Sequence, residues 1–349
     1  MKLEQFKALV KHAGSSVTII GQGEPGIGKS SILRQLAVEL PTHNAAYIDC
    51  TLLDLGDFAL PFTLPHPTEP EAKITSFAPS ARFRAHEGAP VLIMLDEIGK
   101  AMRPVQNVLI TLMLERRIGD MKLPEGSIVF GTTNLATDGV GDKLEAHVRN
   151  RVCFVDVEKP DADQWVTWAM SNDVDPMVVA WVHEFPHALA SYTDTVGANP
   201  YIYNPKQFQK AFVTPRSLEK ASDIVKKREL LGRGIVREAL AGVVGESAAA
   251  DIEAFVNIGD QLPPMTRICE FPETTAIPES PAARCILVSR AVQTVTIANM
   301  PGWLTYLRRM PMEYQAMFCI TAMKSTVSQD IVASSREFIT LVTENSWML

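Results

Sequence analysis

The sequence has few cysteines and no motif that would pair them. The five cysteines are an odd number in 349 residues, are widely spaced and form no C-x-x-C motif. They are Cys50, Cys153, Cys269, Cys285 and Cys319. This distribution argues against a disulfide framework and against a cysteine zinc site. We therefore expect buried free thiols in a reducing compartment.

Long hydrophobic runs are also absent. No stretch of about 18 consecutive apolar residues occurs, so the sequence predicts no transmembrane helix. The first residues, Met1-Lys2-Leu3-Glu4-Gln5, do not resemble a signal peptide. We expect a cytoplasmic protein that does not associate with a membrane.

Basic residues are outnumbered by acidic ones. The chain has 33 Lys and Arg against 40 Asp and Glu, which gives a formal net charge of −7. This charge balance argues against a protein that binds nucleic acid over its whole surface by electrostatic attraction. A local basic pore or patch is still compatible with an acidic total. The apolar share of 46% and the lack of repeats indicate a globular chain of two or three domains.

A glycine-rich loop near the N-terminus carries the strongest functional signal. The stretch Gly23-Glu24-Pro25-Gly26-Ile27-Gly28-Lys29-Ser30 fits the phosphate-loop pattern G-x-x-x-x-G-K-[ST] at every fixed position. Residues 17–20 predict a buried strand before it, and residues 32–40 predict a helix after it. Strand, loop and helix N-terminus together make a socket for polyphosphate. The alternative, a glycine turn that matches by chance, does not account for this context.

This loop would bind ATP with Mg²⁺. The predicted binding residues are Gly23, Glu24, Pro25, Gly26, Ile27, Gly28, Lys29, Ser30 and Ser31. Positive φ at the three glycines would let backbone N–H groups point at the phosphates. Lys29 would reach the β- and γ-phosphate oxygens, and the Ser30 hydroxyl would ligate Mg²⁺.

Two adjacent carboxylates follow the most apolar segment of the chain. Residues 91–95 predict a parallel strand that is buried on both faces, and Asp96 and Glu97 come directly after it. Doubly wound sheets bind their ligands at the carboxyl ends of such strands. Together with the phosphate loop, Asp96 would hold Mg²⁺ through a water, and Glu97 would orient and polarise the attacking water. Without that loop the pattern is weak, because many strands end in acidic turn residues.

Three further residues are candidates for the same site. Asn134 ends a predicted core strand and would hydrogen-bond the nucleophilic water or the γ-phosphate, the alternative being an Asx turn. Arg149 and Arg151 precede the predicted strand 153–157. They are either solvated charges or an arginine finger that reaches the γ-phosphate of a neighbouring subunit.

The composition changes near residue 158, where strand-like runs give way to helical periodicity. We predict a nucleotide-binding core at 1–157, a helical lid at 158–262, and a linker with a C-terminal helical extension at 263–349. In the lid, Thr214 and Pro215 predict the start of a helix. Arg216 lies in its first turn, where a cation is unfavourable, and this suggests a nearby anion.

The ordered set of phosphate loop, Asp96-Glu97, Asn134, Arg149/Arg151 and Thr214-Pro215-Arg216 resembles the AAA+ ATPases. Within them it is similar to the MoxR-like branch, which includes CbbQ/NorQ-type chaperone ATPases and is related to McrB. The resemblance implies an α/β P-loop NTPase core, with a parallel five-stranded sheet flanked by helices, then a helical lid and a C-terminal helical region. It also implies a hairpin at 118–127 and an insertion within 54–84.

The resemblance further implies roles and partners. Asn134 would be the first sensor, Arg216 the second sensor, and Arg151 the arginine finger, with Arg149 as the alternative. Such proteins form rings, usually of six, with ATP at each subunit boundary, and often act with a von Willebrand A-type partner. The leading hypothesis is Mg²⁺-dependent ATP hydrolysis that remodels a protein client. A nucleic-acid motor of a restriction-like or phage assembly and a slow nucleotide-dependent switch or scaffold remain the alternatives.

Overall fold

The computed structural model describes residues 1–69, 71–135, 150–194, 199–204 and 208–344. The chain divides into two compact units, Met1–Lys159 and Pro160–Leu349. Strands are described only in the first unit, and the second is helical.

The first unit is built on a five-stranded sheet. Its strands are β1 (Ile19–Gln22), β2 (Asn44–Asp49), β5 (Val91–Asp96), β8 (Ile128–Thr133) and β9 (Cys153–Asp156), and the remaining strands are β3 (Ala59–Pro65), β4 (Lys73–Pro79), β6 (Arg117–Ile118) and β7 (Met121–Lys122). The sheet order is β2-β5-β8-β1-β9, and every neighbouring pair is parallel. The predicted fold class, a parallel five-stranded sheet with flanking helices, is confirmed. Because β1 lies between β8 and β9, the loop that follows it emerges inside the sheet rather than at an edge.

Strand β5 shows why the apolar run predicted burial on both faces. Successive side chains of a strand point to opposite faces. Leu92 and Met94 pack in one core with the helices α1 (Leu3–Ala13) and α2 (Ser31–Glu39), whereas Ile93 and Leu95 pack in another core with α3 (Arg103–Glu115). All five residues from Val91 to Leu95 are fully buried. The strand is therefore anchored from both sides, and only its polar end reaches the surface.

Two hairpins extend from this unit. Residues 54–84, where the resemblance implies an insertion, contain the antiparallel pair β3 and β4, from Ala59↔Pro79 to Pro65↔Lys73. The hairpin predicted at 118–127 is shorter and begins one residue earlier, as β6 and β7. Asp120, which lies in the turn between β6 and β7, accepts a hydrogen bond from the amide of Phe77 on β4 at 2.7 Å. This bond connects the two hairpins.

The second unit consists of helices around one hydrophobic core. Its helices are Ala162–Ser171, Pro176–Glu184, Pro215–Lys226, Arg228–Leu231, Arg233–Val244, Glu246–Gln261, Met265–Glu270, Pro281–Thr294, Met300–Leu307, Met312–Lys324, Gln329–Ser334 and Arg336–Glu344. Three tryptophans, Trp165, Trp181 and Trp303, are almost completely buried in that core. No helix among the described residues is long and apolar enough to cross a membrane.

Prolines in this unit mark helix starts. Thr214 caps its helix and Pro215 occupies the first turn, as predicted. Near the start of the predicted linker and C-terminal extension at 263–349, a helix begins after Pro264 and places Ile268 in the core. Proline fits the first turn of a helix because no intrahelical bond is lost there.

Candidate active site

The glycine loop connects β1 to α2. Gly26 and Gly28 have φ values of 76° and 101°, as predicted, but the prediction of positive φ was wrong for Gly23. Gly23 is needed for space, because a Cβ there would lie 2.4 Å from the carbonyl oxygen of Val157. Its amide also donates to the carbonyl of Thr133 at 3.2 Å, which ties the loop to the end of β8.

Lys29 lies inside this loop rather than in solvent. Lys29 is only 7% exposed, and its ammonium donates hydrogen bonds to the carbonyls of Gly23 at 2.6 Å and Glu24 at 2.8 Å. A third bond of 3.0 Å runs to Oδ1 of Asn134 at the end of β8. A buried ammonium needs such oxygen partners because burial otherwise disfavours its charge. The loop and the strand end thus form one cation-centred cluster.

Asn134 links Lys29 to Glu97. Its Nδ2 donates to Oε1 of Glu97 at 2.6 Å, while its Oδ1 accepts from Lys29. Only this amide orientation presents an acceptor to the cation and a donor to the carboxylate. Oε2 of Glu97 lies 2.9 Å from the ammonium of Lys100, although it is not aligned with any hydrogen-bond donor. Two cations therefore bracket the amide and the carboxylate.

The backbone of Glu97 is strained. Its φ of 54° lies in the left-handed region, which is unusual for a residue with a side chain. Such strain costs on the order of 1–3 kcal/mol and is concentrated at functional sites. It directs the chain from β5 into the short turn Ile98–Lys100, so that the side chains of Glu97 and Lys100 meet.

Asp96 is held by residues from two other strands. The phenol of Tyr47, on β2, donates to Oδ2 at 2.7 Å, and the hydroxyl of Thr132, on β8, donates to Oδ1. Sequence reasoning missed both residues as well as Lys100. Tyr47 and Thr132 could be found only once the order of the strands was known, whereas the i,i+3 spacing of Glu97 and Lys100 was visible in the sequence.

The donor set suits a magnesium nucleotide. Ser30 is the N-cap residue of α2, but its side chain makes no capping hydrogen bond. The Ser31 hydroxyl donates to the carbonyl of Gly28 at 2.6 Å and so supports the loop. A serine hydroxyl and the Asp96 carboxylate are hard oxygen ligands, which Mg²⁺ prefers. No cluster of three or more His, Cys, Asp or Glu in the described ranges could hold a metal, and Mg²⁺ bound to phosphates needs only one or two protein ligands.

Burial changes the acidity of two groups close to the site. It lowers the pKa of Lys159 to about 8, and the negative charge of Glu24 opposes this shift. Burial raises the pKa of Cys50, and the carboxylates of Asp96, Asp49 and Glu97 raise it further. The Cys50 thiol therefore stays protonated and is not a nucleophile. All five cysteines are free, as expected, although Cys153 and Cys269 are only partly buried.

The three predicted arginines are described to different extents. Arg151 is exposed immediately before β9 and makes no hydrogen bond or ion pair with another described residue. Arg149 lies outside the described residues. Arg216 is exposed in the first turn of helix Pro215–Lys226, in the second unit. Finger and sensor roles for these arginines remain predictions.

Comparison with known families identifies one domain. Residues 19–151 match the family described as "AAA domain (dynein-related subfamily)", a range of a little over one third of the chain. This range contains the glycine loop, both carboxylates and Asn134. No curated protein matches the sequence. This part of the first unit is thus similar to an AAA domain, which supports an AAA+ ATPase.

Solved structures show only a distant likeness. NtrX from Brucella abortus in complex with ADP is 13% identical, with 99% of this chain and 68% of that chain covered and a TM-score of 0.40. The Holliday junction branch migration motor RuvB from Thermotoga maritima is 14% identical, with 87% and 86% covered and a TM-score of 0.38. Similarity at this level does not assign a function.

Proposed function

We propose that this protein is a Mg²⁺-dependent ATPase of the MoxR-like branch of the AAA+ proteins. The observation that carries the proposal is the continuous set of bonds from Lys29 through Asn134 to Glu97. It joins the phosphate loop to the candidate catalytic carboxylate through a single amide. The AAA domain at residues 19–151 supports the same chemistry.

In this proposal each residue has a separate task. Lys29 exchanges its loop carbonyls for the β- and γ-phosphate oxygens, and Asn134 orients the γ-phosphate or the attacking water. Glu97 accepts hydrogen bonds from that water and polarises it. Ser30 and Asp96 hold Mg²⁺, which neutralises phosphate charge when bound. Catalysis then depends mainly on positioning and charge stabilisation.

The remaining predicted residues would act between subunits of a ring or from the helical lid. We propose a ring, usually of six subunits in this family, in which Arg151 reaches the ATP of its neighbour and Arg149 is the alternative finger. Arg216 acts as the second sensor from a helical lid at 158–262, and residues 263–349 form a C-terminal extension. Hydrolysis would drive rearrangement of the ring.

The β3–β4 hairpin favours a protein client over nucleic acid. Its exposed large apolar residues are Leu60, Phe62, Leu64, Ile74 and Phe77. In the strand register, Leu60, Phe62, Leu64 and Ile74 lie on one face of the hairpin, and exposed apolar patches mark interaction sites. Lys73 is the only basic residue in its two strands, which is a poor match for a phosphate backbone. A von Willebrand A-type partner is one candidate client; a nucleic-acid motor and a slow switch or scaffold are the alternatives.

Substitution of the catalytic carboxylate tests the ATPase proposal. We expect Glu97→Gln to bind ATP but to lower kcat by about 10²–10⁴-fold, because the amide cannot polarise water as a carboxylate does. Lys29→Ala should abolish nucleotide binding. Glu125→Gln, at an exposed turn before β8, is the matched control and should keep wild-type turnover. Wild-type turnover in Glu97→Gln would show that the assigned role is wrong.

Stimulation experiments separate the client classes. ATP turnover is measured alone, with DNA at low and high salt, and with the protein partners recovered by the Glu97→Gln variant in ATP. Stimulation by DNA that falls steeply with salt would favour the motor. Stimulation by a recovered protein would favour remodelling, and slow turnover under every condition would favour the switch or scaffold.

A further inference from the structure

The carboxylate of Asp96 is fixed from both sides. Its Oδ1 accepts the Thr132 hydroxyl and the Glu97 amide, the latter at 3.2 Å, and its Oδ2 accepts the phenol of Tyr47 at 2.7 Å. Thr132 belongs to β8 and Tyr47 to β2, the two strands that flank β5. Both oxygens of the predicted Mg²⁺ ligand therefore have their orientation set by neighbouring strands.

Core packing does not explain the tyrosine at position 47. The residue is 52% exposed, whereas its neighbours Ala46 and Ile48 are 4% and 3% exposed. In the parallel register Tyr47 lies opposite Met94, and Asp49 lies opposite Asp96. The phenol must therefore extend two residues along the sheet, toward its carboxyl end, to reach Asp96. This reach requires a long side chain with a terminal donor.

We propose that Tyr47 is a positioning residue for the magnesium ion, acting through Asp96. The inference rests on the proposed function, which assigns Asp96 to Mg²⁺. A hydrogen bond to a carboxylate that holds a metal site fixes the rotation of that carboxylate, and loss of such a supporting bond commonly costs about 10–100-fold in metal affinity. Tyr47 touches neither phosphate nor water in this role; it keeps Asp96 aimed at the ion.

Tyr47→Phe is a clean test because it removes one hydroxyl and keeps the ring. Substitution of Thr132 would be a less suitable test, because Thr132 is 0% exposed and any change there perturbs the core. The second unit offers a matched control, because the phenol of Tyr201 donates to Oδ2 of Asp251 at 2.8 Å. Tyr201→Phe therefore removes the same kind of bond outside the candidate site.

The experiment uses Mn²⁺ as a spectroscopic substitute for Mg²⁺. Free Mn²⁺ is measured by electron paramagnetic resonance as it is titrated into the full-length protein with ADP. We expect Tyr47→Phe to raise the Kd for Mn²⁺ by about tenfold and Tyr201→Phe to leave it unchanged. A higher Mg²⁺ concentration should restore the ATP turnover of Tyr47→Phe. Added Mg²⁺ would not repair a folding defect, so such a rescue points to the metal site.

The outcomes separate this inference from the proposed function. If Tyr47→Phe binds Mn²⁺ like the wild type while Asp96→Asn binds it weakly, Tyr47 has no positioning role and the ATPase assignment stands. If excess Mg²⁺ does not restore turnover, the role through the metal is likewise wrong. If the wild-type protein shows no ADP-dependent Mn²⁺ binding, the proposed function fails and this inference fails with it.

Discussion

Each buried charge around the glycine loop has a compensating group. Lys29 is surrounded by three oxygens, and Glu97 lies between an amide and an ammonium. For Lys159, burial lowers the pKa to about 8, and the nearby Glu24 opposes this shift. The sign of this shift leads to a prediction about stability.

Lys159 should make the protein more stable as the pH rises. Its pKa is about 8 in the folded state against an ordinary value of 10.5. Between these values the unfolded chain binds more protons, so the free energy of unfolding increases with pH, by at most about 1.4 kcal/mol per pH unit. Urea denaturation across this window should show the increase in the wild type, and Lys159→Met should lack it.

An exposed lysine provides the control for this measurement. Lys122, at the end of β7, is exposed, so Lys122→Met should keep the wild-type pH dependence. Equal slopes for the wild type and Lys159→Met would contradict the assignment of the titrating group.

At the scale of elements, local sequence signals set where helices begin. Asp161 and Thr214 both cap helices and both complete capping boxes with the residue three positions later. Each cap satisfies amide groups that have no partner within the helix. These signals need no information from the rest of the fold, which is why the Thr214 cap could be predicted from the sequence.

Removal of the Thr214 cap should destabilise the second unit. The Thr214 hydroxyl accepts from the amide of Ser217 at 3.0 Å. We expect Thr214→Ala to lower the free energy of unfolding by about 1 kcal/mol. Thr340→Ala, at an exposed position within helix Arg336–Glu344, should change it by less than about 0.5 kcal/mol. Thermal or urea denaturation measures both, and equal effects would show that the cap contributes nothing specific.

At the scale of the whole molecule, the proposed ring requires groups that act between subunits. Arg151 is exposed directly before β9 and makes no bond to another described residue. A guanidinium in such a place is free to serve a neighbouring copy, where it would supply transition-state charge. Catalysis in trans can be tested by mixing subunits.

Mixed assemblies should reveal this contribution. Arg151→Ala should bind ATP like the wild type, yet its addition to wild-type protein should lower ATP turnover by more than dilution, because each variant subunit inactivates its neighbour's site. Arg336→Ala, another exposed arginine, should cause no such loss. Turnover that falls only in proportion to the wild-type fraction would exclude catalysis in trans.

The sequence by itself determined the glycine loop, the buried strand with its two carboxylates, Asn134 at a strand end and the helical character of the second half. These features depend on neighbouring residues and on periodicity along one segment. Only the tertiary structure decided that Tyr47 and Thr132 hold Asp96, and that Gly23 is required by the nearby Val157 carbonyl. The physical reason is that parallel strands distant in sequence become neighbours through the order of the sheet, which no local pattern encodes. The helix after Pro264 likewise became evident only through its place in the core.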